Sequence, residues 1–242
     1  MSTAGILIIG NEILTGKVQD ENAPFLLREL RRLGVDVERV NTIPDEVDVI
    51  AAEVKAFAKD FDYVLTSGGV GPTHDDVTME GVAVAFGRKL VRDERMETKL
   101  RNALRGRDAN ESHLKMCELP EGAELIETSD LWFPLVQVEN VYIFPGIPRL
   151  LKAKFEGVQA RFVGVPFHLR NVYVTCIETD IAGDLNALLE EFPDLDVGSY
   201  PKFGAEGHRT LITLESRDES YVTRALDALI DRIPADYVLR VE

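Results

Sequence analysis

Apolar residues fall along this chain in two rhythms. Compact runs (Ile6, Leu7, Ile8 and Ile9; then Tyr63, Val64 and Leu65) and an alternating one (Val35, Val37, Val40) fit strands. Between them, Leu26, Leu27, Leu30 and Leu33, then Val49, Ile50, Val54, Phe57 and Ala58, then Met79, Val82, Ala83 and Phe86 recur at helical spacing. Asp20 or Asn22 is a fitting cap for the first helix, with Pro24 tolerated in its first turn and Gly34 as its stop. Pro44 and Asp45 are expected to start the second helix, and the third opens near Thr78. The β-α-β-α-β-α order predicts an α/β fold with a largely parallel sheet and helices on both faces.

The rhythm then changes. Residues 93–107 read as a charged helix whose Arg101, Arg105 and Arg107 form a solvated face or reach towards an anionic ligand. Residues 110–116 are loop or short helix, and residues 119–126 carry a Pro-Glu-Gly turn and a strand. Residues 132–138 and 141–144 predict a hairpin turning at Glu139-Asn140. Pro145, Gly146, Ile147 and Pro148 then form a tight turn before a helix through Leu150, Leu151 and Phe155. Around residues 164–168 a second pattern starts, which places domains at residues 1–165 and 166–242. It reads β-α-β-β-α-β: strand 169–177, a helix capped by Asp180, strands 196–200 and 210–215 around a glycine loop, a helix through Tyr221, Ala225 and Leu229, and strand 237–241. This smaller α+β unit is expected to serve packing, dimerisation or closure. Lys202, His208 and Arg209 are a candidate basic lid or simply exposed loop charges.

The chemistry concentrates in residues 62–81. A short strand ends in Ser67, Gly68, Gly69, Val70, Gly71 and Pro72; Thr73, His74, Asp75, Asp76 and Val77 lead to the helix at Thr78. Clustered glycines between a strand end and a helix start present backbone N–H groups to an anion such as phosphate. Two carboxylates beside an anion would repel it unless a divalent cation sits between them. The plainer alternatives are a glycine turn and a helix cap at Asp76 or Thr78. No Gly-Lys-Ser/Thr follows, which excludes a Walker A loop, and the spacing does not fit GxGxxG. In a parallel sheet, ligands sit at the carboxyl ends of strands. Residues 11–17, expected to be loop, the turn at Asp45 and residues 67–76 all fall at that edge.

Composition narrows the partners. The 242 residues are 45% hydrophobic and 29% charged, with a net charge of −15. That balance argues against nucleic acid and anionic membranes, whose binding needs basic surface, yet leaves room for a small anionic ligand in a local pocket. No apolar run approaches a membrane span, and the first residues lack the basic start of a signal peptide. Cys117 and Cys176 lie far apart, form no metal pattern and suit a cytoplasmic protein with free thiols.

Several motifs together resemble the MoaB/Mog-type molybdopterin-binding family. The resemblance is nearest to the CinA N-terminal branch and the molybdopterin-binding-like domain of eukaryotic FAD synthase. They are Gly10-Asn11-Glu12-Ile13-Leu14 with Gly16, and Ile43-Pro44-Asp45-Glu46. To these are added Ser67-Gly68-Gly69-Val70-Gly71-Pro72-Thr73 with Asp75-Asp76-Val77-Thr78, Leu114-Lys115-Met116 with Leu119-Pro120-Glu121-Gly122, and Phe144-Pro145-Gly146-Ile147-Pro148. The resemblance implies a three-layer α/β/α fold with a mixed, largely parallel sheet. It also implies a pocket for a phosphorylated pterin or a nucleotide at Asn11, Ser67, Gly68, Gly69, Gly71, Pro72, Thr73, Thr78, Pro145 and Gly146. In the molybdopterin branch two aspartates, matched here by Asp45 and Asp76, support binding or activation of the pterin. In the CinA-like branch the implied reaction is metal-dependent hydrolysis of a dinucleotide pyrophosphate, with ADP-ribose or FAD as candidates. The doubled Asp75-Asp76 fits that branch. No amidase or adenylyltransferase domain accompanies these motifs, so neither activity is expected.

Three functions stay open at this point. As a pyrophosphatase, the chain would hold one phosphate on the amides of Gly68, Gly69 and Gly71. Asp76 with Asp75 would hold Mg²⁺ or a similar ion, and Asp45 or Glu12 would orient water. A monovalent cation is a further candidate cofactor. As a pterin-binding protein of molybdenum-cofactor biosynthesis, it would take molybdopterin in the same pocket; as a regulatory module it would sense a nucleotide without catalysis. Homo-oligomerisation is expected by analogy of fold alone.

Overall fold

The computed structural model describes residues 1–128, 132–202 and 207–242. Alternation within its first strand, β1 (Thr3–Ile9), sets the layering: Ile6 and Ile8 face one side and Leu7 and Ile9 the other, and all four are buried. There follow α1 (Asn11–Leu14), α2 (Asn22–Arg32), β2 (Asp36–Ile43), α3 (Val47–Asp60), β3 (Tyr63–Ser67) and α4 (Thr78–Ala85). Next come β4 (Leu90–Arg92), α5 (Glu94–Leu104), α6 (Glu111–Lys115), β5 (Glu118–Pro120), β6 (Glu124–Ile126), β7 (Leu135–Val138), β8 (Val141–Phe144) and α7 (Pro148–Val158). The main sheet has the order β2-β1-β3-β8-β7-β6. Its first four strands are parallel, and β7 runs against both β8 and β6. The fold is therefore the expected α/β/α sandwich on a mixed, largely parallel sheet.

Each face of that sheet has its own core. On one face Ile50, Val54 and Phe57 of α3, Val82 of α4, and Met96 and Leu100 of α5 pack with Leu7, Ile9, Val64 and Ile143. On the other, Leu26 and Leu30 of α2 and Leu151 and Phe155 of α7 pack with Ile6, Ile8, Leu65 and Phe144. Burying each such side chain contributes about 1.5–3 kcal/mol. Both faces being covered explains why β1, β3 and β8 are continuous apolar runs rather than alternating ones. The hairpin between β7 and β8 turns through Glu139 at φ 52°.

Several local expectations are corrected. Residues 11–14 form a helical turn rather than loop. Pro44 and Asp45 lie in a turn, and α3 starts at Val47. Residues 119–126 contribute to two strands, β5 pairing with β4 and β6 with β7.

The chain divides into two compact units, Met1–Val165 and Pro166–Glu242. The second contains β9 (His168–Val174), α8 (Glu178–Glu191), β10 (Asp196–Pro201), β11 (Thr210–Ser216), α9 (Glu219–Arg232) and β12 (Val238–Val241). Its antiparallel sheet has the order β10-β11-β9-β12. Val172, Val174, Ile212 and Leu214 pack there with Ile181, Leu185 and Leu188 of α8 and Val222 and Leu229 of α9. Asp180 sits inside the first turn of α8, whose cap position is Ile177, so its carboxylate favours the positive helix end without capping it. The glycine loop expected before β11 falls on residues 203–206, outside the described residues. Of the candidate lid cations, Lys202 and Arg209 meet backbone to backbone, and His208 packs edge-on against Tyr173 at 4.8 Å. Among the described residues no helix is long and apolar enough to cross a membrane.

Candidate functional site

Four parallel strands end at the same edge of the sheet, and the segments leaving them meet there. After β3 the chain must turn sharply between two neighbours, and glycine makes this possible. Gly68 has φ +112°, and a Cβ there would lie 2.0 Å from the carbonyl oxygen of Ile9; Gly69 has φ +61°. The turn is braced from inside. The hydroxyl of Thr78, fully buried, donates to the Gly68 carbonyl at 2.8 Å, and its amide donates to the Gly69 carbonyl at 3.1 Å. Thr78 is therefore a support of the loop, and neither it nor Asp76 caps α4, whose cap position is Val77.

The cradle is smaller than the glycine pattern suggests. The Gly68 amide donates to the Phe144 carbonyl at 3.2 Å, which ties it into the sheet edge rather than leaving it for a ligand. The amides of Gly69, Val70 and Gly71 have no protein acceptor among the described residues. Beside them opens a cavity whose lining includes Gly69, Gly71, Asp76, Met79, Lys115 and Phe133.

Carboxylates gather around this cradle. Asp76 accepts from the Thr73 amide at 2.8 Å and from the Thr73 hydroxyl, which closes the turn of residues 73–76. Asp45, in the turn after β2, accepts from the Asn11 amide at 2.7 Å. Burial pushes the Asp45 carboxyl above the ordinary carboxylate range; the Asn11 amide opposes this, and the charges of Glu12, Asp75 and Asp76 add to it. Asp75 is exposed and held low, first by the Thr73 side chain and its own backbone amide, then by His74 and Lys115. Among the described residues no group of three or more His, Cys, Asp or Glu is arranged to hold a metal ion. A cation here would complete its sphere with ligand oxygens and water, as Mg²⁺ commonly does.

On the far side of Gly68 lies a recess with Glu12, Asp20, Asn22, Ser67, Gly68 and Gly146 in its wall. Asn22 is buried. Its Nδ2 donates to Ser67 Oγ at 2.9 Å and to the Gly146 carbonyl at 2.7 Å, and its Oδ1 has no partner. It thus ties α2 to the ends of β3 and β8. Gly146 approaches so closely that a Cβ on it would lie 3.3 Å from Gly68 Cα, while Pro145 is buried behind it.

The structure therefore brings Asn11, Glu12, Asp45, Ser67, Gly68, Gly69, Gly71, Asp76, Thr78 and Gly146 to one edge. Pro72 and Thr73 lie on the outer side of the loop, on a surface shared with His74 and Lys115. Arg101 pairs with Glu97 and Arg105 ends α5 in the left-handed conformation, so the solvated-face alternative holds for them. Two residues join the site without a place among the candidate ligand residues of the sequence. Asn22 had a cap's signature, and its interior bonds follow only from three-dimensional proximity. Lys115 appeared only as part of a motif; it ends α6, and its Nζ donates to the Thr73 carbonyl.

Comparison with known proteins finds matches for both parts of the chain. Residues 5–163 match the family model described as probable molybdopterin binding domain, and residues 166–242 match FAD synthase, middle domain. An Archaeoglobus fulgidus protein is 37% identical over 221 residues, covering 91% of this chain and 93% of its own length. A probable FAD synthase of Caenorhabditis elegans is 30% identical over 94% of this chain, which spans 49% of that relative's length. Among solved structures, the protein CinA with unknown function from Thermoplasma acidophilum superposes with a TM-score of 0.62 at 30% identity, over 67% of this chain and 98% of that one.

Proposed function

We propose, for a chain that belongs to the probable molybdopterin binding domain family, that its site hydrolyses the pyrophosphate of a nucleotide-containing diphosphate such as ADP-ribose or FAD, with Mg²⁺ or a similar divalent ion. The observation that carries this reading is the gathering of Glu12, Asp75 and Asp76 about Asp45, beside free backbone amides suited to an anion. Carboxylates so placed repel a phosphate unless a cation is shared between them. The amides of Gly69, Val70 and Gly71 hold one phosphate. Asp76, with Asp75 beside it, would hold the ion together with phosphate oxygens. The ion, when bound, would neutralise developing charge and make water more acidic. Asp45 orients the attacking water and takes its proton; burial keeps this carboxylate more basic than an exposed one. Glu12 stands beside it.

The family match over residues 5–163 favours a second reading, a pterin-binding protein that uses the same cradle without hydrolysis. A hydrolysis screen of ADP-ribose, FAD and NAD, with and without divalent ions, separates the two. Ion-dependent release of a mononucleotide from one of them is expected. Binding of molybdopterin with no turnover of any of the three would replace the first reading with the second.

A further inference from the structure

The charged side chains that line the cavity beside the glycine loop are acidic with one exception. Asp76, Glu80 and Glu118 contribute to its wall, and Lys115 is the one cation among its described lining residues. Lys115 also borders the outer surface of the loop with Pro72 and Thr73, so it stands where the two surfaces meet. A lysine in such surroundings would ordinarily be paired. Nearby, Arg92 lies within ion-pair distance of Glu97, Glu111 and Glu118. Lys115 has no carboxylate within 4.0 Å among the described residues; its protein partner there is the Thr73 carbonyl. An ammonium carries three donors on a flexible stem, so a carbonyl satisfies one and leaves two, with a charge that acts on Asp75 only from beyond ion-pair distance.

We propose that Lys115 binds the second phosphate of a diphosphate whose first phosphate rests on the amides of Gly69, Val70 and Gly71. This rests on the reading of the cradle as a diphosphate site, but it concerns binding and does not require hydrolysis. The cradle is uncharged and serves a monophosphate as well as a diphosphate. Lys115 adds a cation to the same cavity, at the Thr73 carbonyl, and so selects ligands with two adjacent phosphates. The competing role is a staple, in which Lys115 only steadies residues 72–76 through the Thr73 carbonyl. Glutamine separates the two roles, because it keeps an N–H donor for that carbonyl and loses the charge.

The test is calorimetric binding of ADP and AMP to the full chain in Mg²⁺ buffer, for wild type, Lys115→Gln and Lys115→Arg, with thermal melts of all three. Wild type is expected to prefer ADP by about tenfold or more, the scale of one charge-assisted hydrogen bond. Lys115→Gln should bring that ratio within about twofold and flatten the salt dependence of ADP affinity, because screening acts on the charge and not on the fold. Lys115→Arg should keep the preference. The proposal is overturned if Lys115→Gln retains the wild-type ratio, if wild type shows no preference, or if it fails to bind ADP at millimolar concentration. Should wild type hydrolyse nothing while the ratio still collapses in Lys115→Gln, this inference stands and the hydrolytic reading falls. Should hydrolysis be present and the ratio survive, this inference falls alone.

Discussion

The backbone amide of Asn11 donates to Asp45 Oδ2 at 2.7 Å, joining the segment after β1 to the one after β2. This bond holds the carboxylate at the mouth of the cradle although burial and three other carboxylates disfavour its charge. A carboxyl raised in the folded state gives stability that is present below its unfolded pKa and lost as pH rises through the folded value. At neutral pH the ionised form is therefore a small cost. Asp45→Asn keeps an oxygen for the Asn11 amide and removes that cost, so its melting temperature should equal or slightly exceed wild type. Hydrolysis should fall on the order of 10²-fold or more, as expected for loss of a general base. Parallel melts and steady-state rates check this; a variant turning over at the wild-type rate would remove Asp45 from the reaction.

Gly71 offers a way to move Asp76 without changing it. A Cβ on Gly71 would lie 2.5 Å from Asp76 Oδ2, the atom that accepts from Thr73. The obstruction is the end of a side chain rather than backbone, so Gly71→Ala should displace the carboxylate and cost under about 1 kcal/mol of stability. At Gly69, by contrast, φ is +61° and the Cβ would lie 2.3 Å from Thr78 Oγ1, so a substitution there strains the buried brace. Gly71→Ala should raise the Mg²⁺ concentration needed for half-maximal activity with little change in melting temperature. An unchanged Mg²⁺ dependence would show that the position of Asp76 is immaterial to the ion.

These contrasts mark what could be seen in the chain before folding. The sandwich was legible because β1, β3 and β8 are short apolar runs bounded by polar or glycine residues, while the helices between carry one apolar face. The glycine loop was legible because few residues other than glycine tolerate the backbone at Gly68 and Gly69. α1 was not, since four residues hold too little of a period to declare a helix. Nor was the Gly68–Phe144 bond, which removes an amide from the cradle and depends on β8 lying beside β3, some 75 residues later. Asn22 carries the same residue type whether it caps a helix or bridges strand ends, so identity alone could not choose.

Lys154 of α7 gives a pH-dependent prediction away from the site. Its side chain is 2% exposed, and its Nζ donates to the Phe133 carbonyl. Burial lowers its pKa to about 8, with Glu127 opposing. An unfolded lysine titrates near 10.5, so between about 8 and 10.5 the unfolded chain binds more protons and stability rises with pH. Lys154→Met lacks this term. Urea denaturation at about pH 7.5 and 9.5 should show wild type gaining on Lys154→Met by a few kcal/mol at most, roughly 1.4 kcal/mol per pKa unit. A difference between the two proteins that does not change with pH would mean that Lys154 stays charged in the fold.

Asp76→Asn tests the carboxylate itself. Asp76 does not cap α4; its Oδ2 closes the turn of residues 73–76 by accepting from the Thr73 amide and hydroxyl. Asparagine retains an oxygen that can accept both bonds, so the turn should survive and stability should change by well under about 1 kcal/mol. Less charge near Asp45 and Asp75 works in the stabilising direction. If Asp76 serves only the turn, hydrolysis should persist as well. If it holds a cation against the phosphates, the same change removes charge where charge binds the ion, and the rate should fall on the order of 10²-fold or more. The two roles predict the same melting temperature and different rates. The expected result is an unchanged melt, a large loss of turnover at saturating substrate, and partial recovery as Mg²⁺ is raised. Near wild-type turnover in Asp76→Asn at saturating Mg²⁺ would leave this residue as a turn-former and nothing more.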